Sequence, residues 1–333
     1  MSDLSPVSVA AVVATYNDLE HLPLALNAIL GQTTPPGEVI VADDQSDDGT
    51  DDYMNKLVAL HEGKHRIKYL KLSRRSGVEG ARRAAIEATD AKWIASCDSD
   101  DLWSPNKLER QIDFINRWAG QLKIVVLGTH GLNINNDGRI LSPFTLGMVT
   151  EDEFHEQQEQ HGILWLAQSS VLFDRHVYDR VGGYRFDYQG AEDVELWSRM
   201  SDYGLVITMP EQLIHYRKRA GSMQQSLFWR QQGHLLRISE NHKRRAAGVA
   251  DLSAEEFHKR LAAEPVSVRL RRRRHDLAKY YYRRGSVRVV NHKVARGVGD
   301  LLISGMLDTR RVFNGVAGVA RHIRHDTSRS TET

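Results

Sequence analysis

The chain has 333 residues, of which 41% are hydrophobic and 26% are charged, and its formal net charge is +2. This composition is typical of a soluble globular protein. No apolar run reaches the roughly 18 residues that a membrane-spanning helix needs, and Met1–Pro6 lacks the pattern of a signal segment, so we expect a cytoplasmic protein. Cys97 is the single cysteine, which excludes an internal disulfide and a cysteine-based metal cluster.

The charges are distributed unevenly along the chain. Residues 1–224 hold 22 Lys and Arg against 33 Asp and Glu, a net charge of −11, whereas residues 225–333 hold 23 against 10, a net charge of +13. This division predicts two regions with different tasks. The acidic front region could hold a cation, and the basic back region could meet an anionic surface.

Strand-like and helix-like segments alternate within the first 130 residues. The strand-like segments are short apolar runs at Val7–Ala14, Glu38–Ala42, Ile67–Leu72, Trp93–Cys97 and Ile124–Gly128. Amphipathic helix patterns lie between them. The order predicts right-handed crossovers and a three-layer, Rossmann-like α/β fold with a parallel sheet.

After residue 130 the pattern is less regular. Asn133–Gly147 is rich in turn residues, Ile163–Phe173 is strand-like, and two short strands are predicted at Val206–Met209 and Leu213–Arg217. From about Ser226 onward the sequence is mainly helical and basic.

Polar clusters follow three of the predicted strands. They are Thr15-Tyr16-Asn17, Asp43-Asp44 and Asp98-Ser99-Asp100-Asp101. Ligands of such sheets bind beyond the carboxyl ends of the strands. We therefore expect the three clusters to meet at one edge of the sheet.

The cluster Asp98-Ser99-Asp100-Asp101 is a candidate metal site. Mg²⁺ and Mn²⁺ prefer oxygen ligands, and Mg²⁺ is commonly held by one or two carboxylates together with water and substrate phosphates. Two carboxylates two residues apart, directly after a buried strand, suit that task. A solvated acidic turn is the alternative interpretation.

Two further acidic pairs allow a structural and a functional interpretation. Asp43 or Asp44 could accept a hydrogen bond from a nucleotide base, or the pair could simply shape a turn before a helix. Glu192-Asp193 begins a predicted helix, where a carboxylate is favourable beside the helix dipole. Asp193 could instead act as a general base if burial or Glu192 raises its pKa.

Four other residues are candidates on weaker signals. Arg82 follows a Gly-x-x-Gly turn before a helix and could bind phosphate or base oxygens. His215 follows a predicted strand and could be a metal ligand or a structural histidine. Trp165 and Gln168 could shape a sugar pocket by stacking and hydrogen bonding, although core packing explains Trp165 equally well.

The order of these motifs resembles the family 2 glycosyltransferases of the GT-A fold, over roughly residues 6–220. The resemblance depends on the following segments in sequence: AVVATYN at Ala11–Asn17, EVIVADDQSDDGT at Glu38–Thr50, RRSGVEGAR at Arg74–Arg82, WIASCDSDDLW at Trp93–Trp103, Gly182-Gly183-Tyr184 and AEDVELWSR at Ala191–Arg199. It implies an inverting enzyme that moves a sugar from a nucleoside diphosphate sugar, UDP first, to an acceptor hydroxyl.

The resemblance also implies roles for individual residues. The nucleotide would be held by Thr15, Tyr16, Asn17, Asp43, Asp44, Arg82, Asp98 and Ser99. A divalent cation, Mg²⁺ or Mn²⁺, would be held by Asp100, Asp98 and His215. Asp193 would be the catalytic base, and Glu192 would help to position the acceptor. Nucleotide-sugar binding would occupy about residues 1–130, the acceptor part about 131–224, and a helical basic extension 225–333.

The sequence departs from the family pattern in three places. Arg83 stands where the family usually has Asn, and Lys218-Arg219 stands where a His is common. The Q-x-x-R-W motif of processive polysaccharide synthases is absent. This absence favours an enzyme that adds one sugar at a time. The resemblance implies a role in the synthesis of a cell-surface polysaccharide or glycolipid.

The basic back region leaves two interpretations open. Val312, Val316, Val319 and Ile323 recur at helical spacing with arginines nearby, as in a helix that lies on an anionic membrane surface close to a glycan or lipid-linked glycan acceptor. The region could equally cap the catalytic domain. In the first case the protein would sit on the inner face of the membrane. Nucleic acid is a weaker candidate partner because no known nucleic-acid motif is present.

Two other functions remain as alternatives. A sugar nucleotidyltransferase would share the fold and the metal, but it usually has a glycine-rich loop after the first strand, where this chain has Thr15-Tyr16-Asn17. A non-catalytic carbohydrate- or nucleotide-binding module would not need the three acidic residues Asp98, Asp100 and Asp193.

Overall fold

The computed structural model describes residues 8–64, 66–219, 227–290 and 294–308. Contacts divide the chain into two compact units, Met1–Asp251 and Leu252–Thr333. The boundary predicted between residues 224 and 225, and the predicted helix around Val316, lie outside the described residues. Among the described residues, no helix combines the length and the apolar character that crossing a membrane requires.

One mixed sheet forms the centre of the first unit. Within the described residues it has nine strands, in the order β3-β2-β1-β4-β8-β6-β9-β5, with β7 paired to β6. The strands are β1 Val9–Thr15, β2 Glu38–Asp43, β3 Ile67–Lys71, β4 Trp93–Asp98, β5 Leu102–Trp103, β6 Ile124–Ile134, β7 Ile140–Phe144, β8 Leu172–Asp174 and β9 Leu205–Arg217. The first four strands are parallel, as the alternating sequence pattern predicts.

Helices cover the sheet and form the second unit. Those of the first unit are α1 Leu22–Leu30, α2 Thr50–Leu60, α3 Gly77–Glu87, α4 Lys107–Arg117, α5 Glu151–Gln160, α6 Arg175–Arg180, α7 Glu192–Met200 and α8 Phe228–Ala246. The second unit contains α9 Ala254–Ala262, α10 Val266–Val290 and α11 Val294–Leu307.

Strand β1 shows why the sheet has three layers around it. All seven of its residues are buried. Val9, Ala11 and Val13 belong to one apolar cluster, whereas Ala10 and Val12 belong to another. Because successive side chains point to opposite faces of a strand, both faces of β1 must be covered. Helices α1 and α2 contribute to the first cluster and α3 contributes to the second.

The strand register brings the three polar clusters together. Thr15 at the end of β1 lies opposite Asp43 at the end of β2, and Ala14 lies opposite Asp98 at the end of β4. The clusters predicted after these strands therefore share one edge of the sheet.

The second half of the sheet differs from the sequence prediction. The two short strands predicted at Val206–Met209 and Leu213–Arg217 are the ends of one strand, β9, which runs parallel to β6 with irregular register around His130. The predicted strand at Ile163–Phe173 is mostly irregular, and only its last two residues belong to β8. Strand β7 lies in the segment that was expected to contain turns.

A buried lysine begins α4. The side chain of Lys107 is fully buried; its Nζ donates a hydrogen bond to Gln111 Oε1 at 2.8 Å and lies 4.1 Å from the centroid of the Trp103 ring. Burial lowers the pKa of Lys107 to about 7. Gln111 Nε2 in turn donates to the carbonyls of Leu127 and Ser170, each at 2.9 Å, which ties the helix to the sheet.

Candidate active site

Asp43 shapes the turn that follows β2. It is fully buried, and its Oδ1 accepts hydrogen bonds from the Ser46 amide at 2.8 Å and the Ser46 hydroxyl at 2.6 Å. Its Oδ2 accepts a hydrogen bond from the Tyr69 hydroxyl at 2.7 Å. The turn-shaping interpretation of this residue is therefore visible in the structure, and any contact with a base would have to share these oxygens.

Asp44 and Arg75 organise the start of α3. Asp44 accepts hydrogen bonds from the amides of Ser76 and Gly77, at 2.6 Å and 3.0 Å. Arg75 Nε donates to the same carboxylate at 3.1 Å. The Arg75 guanidinium also lies 3.3 Å from the centroid of the exposed Tyr16 ring, so it stacks on one face of that ring at the end of β1.

Asn17 ties the loop after β1 to the loop after β2. It has a positive φ of 47°, a conformation that Asn tolerates better than most residues. Its amide donates to Ser46 Oγ at 2.9 Å. Its side chain donates to Asp47 Oδ1 at 2.8 Å and accepts from the Asp47 amide at 2.9 Å.

Arg82 links the end of β4 to the start of α7. It is buried; its Nη2 lies 2.7 Å from Asp98 Oδ1 and its Nη1 lies 3.3 Å from Glu192 Oε1. Burial works against the charge, but Asp98, Tyr184 and Glu192 outweigh it and raise the pKa of Arg82 above its ordinary value. The contact joins residues 110 positions apart and brings the predicted metal and base motifs into one cluster.

The pKa of Asp193 lies near neutral pH. It is half-buried at the first turn of α7. Burial, followed by the negative charge of Glu192, raises its pKa to about 7. Glu192 is held by Arg82 and by the Gly190 amide, which donates to its Oε2 at 2.7 Å. The ideal pKa of a general base lies near the working pH.

The loop after β4 divides its carboxylates between two tasks. Asp101 is buried and accepts hydrogen bonds from the Ser169 hydroxyl at 2.5 Å and the Arg217 amide at 2.8 Å, so it holds the loop against the end of β9 and the turn before β8. Asp98 and Asp100 are both about a quarter exposed. Burial and the like charge of Asp98 raise the pKa of Asp100 to about 6.

Sequence reasoning missed Asp18 and Arg219. Arg219 Nε lies 2.9 Å from Asp100 Oδ2, and its Nη2 lies 2.6 Å from Asp18 Oδ1. Asp18 also accepts a hydrogen bond from the Ser99 hydroxyl at 2.6 Å. Arg219 thus joins the loop after β1 to the predicted metal loop. The departure Lys218-Arg219 was the available signal, because a cation stands where the family has a histidine.

Glu79 on α3 was also missed. It is buried, and burial followed by the charge of Glu192 raises its pKa. It therefore adds a third carboxyl group to the surroundings of Arg82 and Glu192.

Asp98 and Asp100 are partly exposed carboxylates, and each pairs with an arginine, Arg82 or Arg219. Across the part of the chain that the structure describes, no three His, Cys, Asp or Glu side chains converge to enclose a metal ion. His215, on β9, does not join Asp98 and Asp100 in such a group, and burial lowers its pKa. Two carboxylates whose like charges disfavour each other fit a hard cation that takes its remaining ligands from water and substrate phosphates.

The two residues predicted for a sugar pocket have different surroundings. Gln168 is buried, and its Nε2 donates to Ser96 Oγ at 2.8 Å and to the Tyr184 hydroxyl at 2.9 Å. Trp165 is 40% exposed, so it is not a core residue and its ring is accessible for stacking.

The family model for glycosyl transferase family 2 matches residues 10–181, which is more than half of the chain. The chain belongs to this family, and the predicted class of enzyme, a glycosyltransferase, is confirmed. The match does not test the role of any single residue, so the predicted site residues, including Asp193 and His215 beyond the matched range, stay predictions.

Named relatives are similar to different lengths of the chain. The putative teichuronic acid biosynthesis glycosyltransferase TuaG of Bacillus subtilis is 33% identical over 34% of this chain and 44% of its own length. The UDP-Glc:α-D-GlcNAc-diphosphoundecaprenol β-1,3-glucosyltransferase WfaP of Escherichia coli is 28% identical over 66% of this chain and 81% of its own length. The chain thus spans less than half of the first relative and most of the second.

Solved structures confirm the predicted fold class. The S. aureus protein TarS, residues 1–349 in complex with UDP, aligns over 91% of both chains with a TM-score of 0.55 and 15% identity. GalNAc-T7, crystallised with UDP, GalNAc and Mn²⁺, aligns over 72% of this chain and 48% of its own with a TM-score of 0.56 and 15% identity. At this identity the likeness concerns the fold alone, and it supports the GT-A architecture that the sequence predicts.

Proposed function

We propose that this protein is an inverting glycosyltransferase that moves one sugar from a nucleoside diphosphate sugar, UDP first, to an acceptor hydroxyl. The observation that carries the proposal is the cluster Asp98–Arg82–Glu192 with Asp193 beside it. It places a carboxylate of pKa about 7 next to an arginine and the acidic pair Asp98 and Asp100 at one edge of the sheet.

The reaction needs one proton transfer and one displacement. Asp193 takes the proton of the acceptor hydroxyl while the acceptor oxygen bonds to the anomeric carbon. The bond from that carbon to the diphosphate breaks, and its electron pair leaves with the nucleoside diphosphate. Because attack and departure occur on opposite faces, the anomeric carbon is inverted.

The diphosphate develops negative charge as it leaves. Arg82 and Arg219 are cationic groups of this chain beside the carboxylates Asp98 and Asp100. Asp98 and Asp100 would hold a divalent cation, Mg²⁺ or Mn²⁺, which supplies further charge stabilisation when bound. His215 would contribute only if it moved towards this pair.

The nucleoside would lie at the ends of β1 and β2. The exposed Tyr16 ring and the guanidinium of Arg75 offer a surface on which a base can stack. Asn17 fixes the loop that carries Tyr16. Thr15, Asp43 and Asp44 then set the shape of this end through the turns that they hold.

The acceptor is proposed to be a glycan or lipid-linked glycan of a cell-surface polysaccharide or glycolipid. The names of the Bacillus and E. coli relatives, which concern teichuronic acid and a GlcNAc-diphospholipid, support this choice. A lipid-linked acceptor would place the reaction on the inner face of the membrane. The exposed Trp165 ring, near Gln168 in sequence, is the proposed stacking residue for a sugar.

The first test of the donor site is thermal unfolding with UDP, GDP, CDP and TDP, each with and without Mn²⁺. A ligand that binds the folded state raises its stability. We expect UDP to raise the melting temperature most, and more with Mn²⁺ than without. A folded protein that responds to none of the nucleotides would contradict the donor site.

The catalytic test compares Asp193→Asn with Asp179→Asn. Asp179 lies on α6, where it pairs with Arg175 at 3.4 Å, and serves as the matched control. We expect Asp193→Asn to lower transfer from UDP-glucose to a GlcNAc-diphospholipid analogue by about 10²–10⁴-fold while UDP still raises the melting temperature. Wild-type turnover by Asp193→Asn would disprove the assignment of the base.

A further inference from the structure

Helices α10 and α11 of the second unit form a hairpin held by one face of each helix. Ser304 Oγ donates to the Ala278 carbonyl at 2.8 Å. The backbones approach so closely that a Cβ on Gly285 would lie 2.8 Å from the Gly297 carbonyl oxygen. The carboxylate of Asp300 pairs with arginines of α10, among them Arg284 at 2.6 Å. Residues 297, 300 and 304 therefore mark the side of α11 that faces α10.

The opposite side of α11 is apolar and exposed. Val298, Leu302 and Met306 follow one another at intervals of four residues, so they share one face of the helix. Their exposed fractions are 45%, 64% and 78%. Contiguous exposed apolar side chains of this kind mark interaction surfaces on soluble proteins.

Helix α10 carries a high density of positive charge. Its 25 residues include eight arginines and one lysine against a single acidic residue, Asp276. In its first ten residues the arginines at 269, 271, 273 and 274 are exposed, and so are Val266 and Leu270. The His275–Asp308 contact at 3.4 Å places this arginine-rich end beside the end of α11 that carries Met306.

We propose that the α10–α11 hairpin docks on an anionic lipid bilayer, with the α11 face Val298–Leu302–Met306 in the acyl boundary and the arginines of α10 at the phosphate headgroups. Helices with an apolar face and a strongly basic remainder lie in the membrane interface in this way. Arginine side chains can keep their charge at the headgroups while their apolar stems cover the acyl boundary.

Charge favours an anionic bilayer over the other possible partners of the hairpin. A second copy of the chain would bring a second unit of the same net positive charge against this one, which like-charge repulsion disfavours. Residues 309–333 carry five arginines against two acidic residues, so they have the same sign as α10. A nucleic acid would match the charge but not the apolar face of α11. The proposal goes beyond the sugar-transfer reaction and does not depend on it.

The test is sedimentation of the full chain with vesicles of phosphatidylcholine, alone or with about one third phosphatidylglycerol. Basic residues close to an anionic surface are attracted to it, so we expect at least tenfold more binding to the anionic vesicles. Binding should weaken as salt is raised. No binding to anionic vesicles would overturn the proposal.

Two variants separate the charge from the apolar face. Replacing Arg269, Arg271, Arg273 and Arg274 by Gln should lower vesicle binding at least tenfold and remove most of its salt dependence. The double variant Leu302→Ser/Met306→Ser should lower the binding that remains at high salt. Leu60→Ser, in the first unit and 72% exposed in the native chain, should bind like the native protein. Melting curves establish that each variant is folded.

Three outcomes would contradict docking of the hairpin on a bilayer. Equal vesicle binding by the native chain and both hairpin variants would show that neither the α10 arginines nor the apolar face of α11 binds the bilayer. Binding to an RNA or DNA oligomer that competes fully with vesicles and is unaffected by Leu302→Ser/Met306→Ser would assign it to nucleic acid. A native dimer that this double variant converts to a monomer would assign it to a second copy of the chain.

Discussion

Asp193 owes its proposed basicity to its surroundings rather than to its residue type. A free aspartic acid has a pKa of about 3.9, whereas burial and the charge of Glu192 raise the pKa of Asp193 to about 7. Arg82 works in the opposite direction. The acid strength of the base therefore depends on two neighbours that are themselves joined by an ion pair.

The pH profile of kcat/KM should report this pKa. The base is active when deprotonated, so kcat/KM should fall about tenfold per pH unit below about pH 7 and level off above it. Glu192→Gln removes the like charge beside Asp193, so its acid limb should move to lower pH. The measurement is initial rates from pH 5 to 9 with the donor well below KM. An unchanged limb in Glu192→Gln would show that Glu192 does not set the pKa of the base.

Arg82 should matter for folding as well as for the donor site. Arg82→Met leaves Asp98 and Glu192 without their shared buried partner, and breaking a buried pair in this way typically costs about 3–5 kcal/mol. The next residue along the chain supplies the control, because Arg83→Met removes an exposed pair with Glu87 and a contact with the Phe186 ring at 5.9 Å, together worth about 1 kcal/mol or less. Urea unfolding measures both, and similar losses for the two variants would contradict a structural role for the Arg82 pairs.

Sequence reasoning identified single residues well where a strand end determines their place. Thr15, Asp43 and Asp98 end neighbouring parallel strands, so their convergence follows from topology alone. The contact between Arg82 and Glu192 spans 110 positions and left no local pattern. Arg219 and Asp18 were missed for the same reason, since their 201 positions of separation cannot be read from spacing.

At the scale of elements, α4 begins with a lysine whose burial lowers the free energy of unfolding near neutral pH. Lys107 has a pKa of about 7 in the folded chain and about 10.4 when unfolded. Between these values the unfolded chain binds a proton that the folded chain lacks, so the free energy of unfolding should rise with pH. The rise is about 2 kcal/mol between pH 7 and pH 9 for this group alone.

Lys107→Met tests this contribution. The variant keeps an apolar stem of similar length and removes the titrating amine, so its free energy of unfolding should change less between pH 7 and pH 9. At pH 7 its free energy of unfolding should also exceed that of the native chain, because the variant no longer buries an amine. The lost hydrogen bond to Gln111 reduces this gain. Equal pH slopes in the two proteins would show that Lys107 does not titrate in this range.

Some strands can be predicted from their own residues, and others depend on distant parts of the chain. β1 and β2 are buried along their whole length, so continuous apolar runs identified them. β9 was split in two because Pro210-Glu211 resembles a break, yet the strand continues past it by shifting register against β6. β7 contains Pro143 and lies on exposed chain, and it forms because β6 supplies a pairing edge, which the segment itself does not reveal.

At the scale of the molecule, the first compact unit extends to Asp251 and not only to the end of β9. Helix α8 packs Ile238 into a small core with Tyr188 and Val194. Its Arg237 pairs with Asp187 at 2.6 Å. The chain beyond β9 therefore completes the surroundings of α7, which carries the proposed base.

Two truncations test this division. A chain ending at Asp251 keeps these contacts and the pair of Asp251 with Arg185, so it should melt cooperatively and still respond to UDP. A chain ending at residue 224, the predicted boundary, loses α8 and exposes Tyr188, so it should melt at a lower temperature or fail to fold. Equal melting of the two fragments would contradict a stabilising role for α8. Neither fragment should sediment with anionic vesicles.

The position of Cys97 makes the protein well suited to chemical labelling. Cys97 is the one cysteine of the sequence; its thiol is buried, and burial raises its pKa well above the ordinary value. Maleimide dyes react with exposed thiolates, so the native chain should stay unlabelled while it is folded. A cysteine introduced at an exposed position such as 60 or 306 would then carry the only dye, and its fluorescence would follow that surface in an otherwise native enzyme.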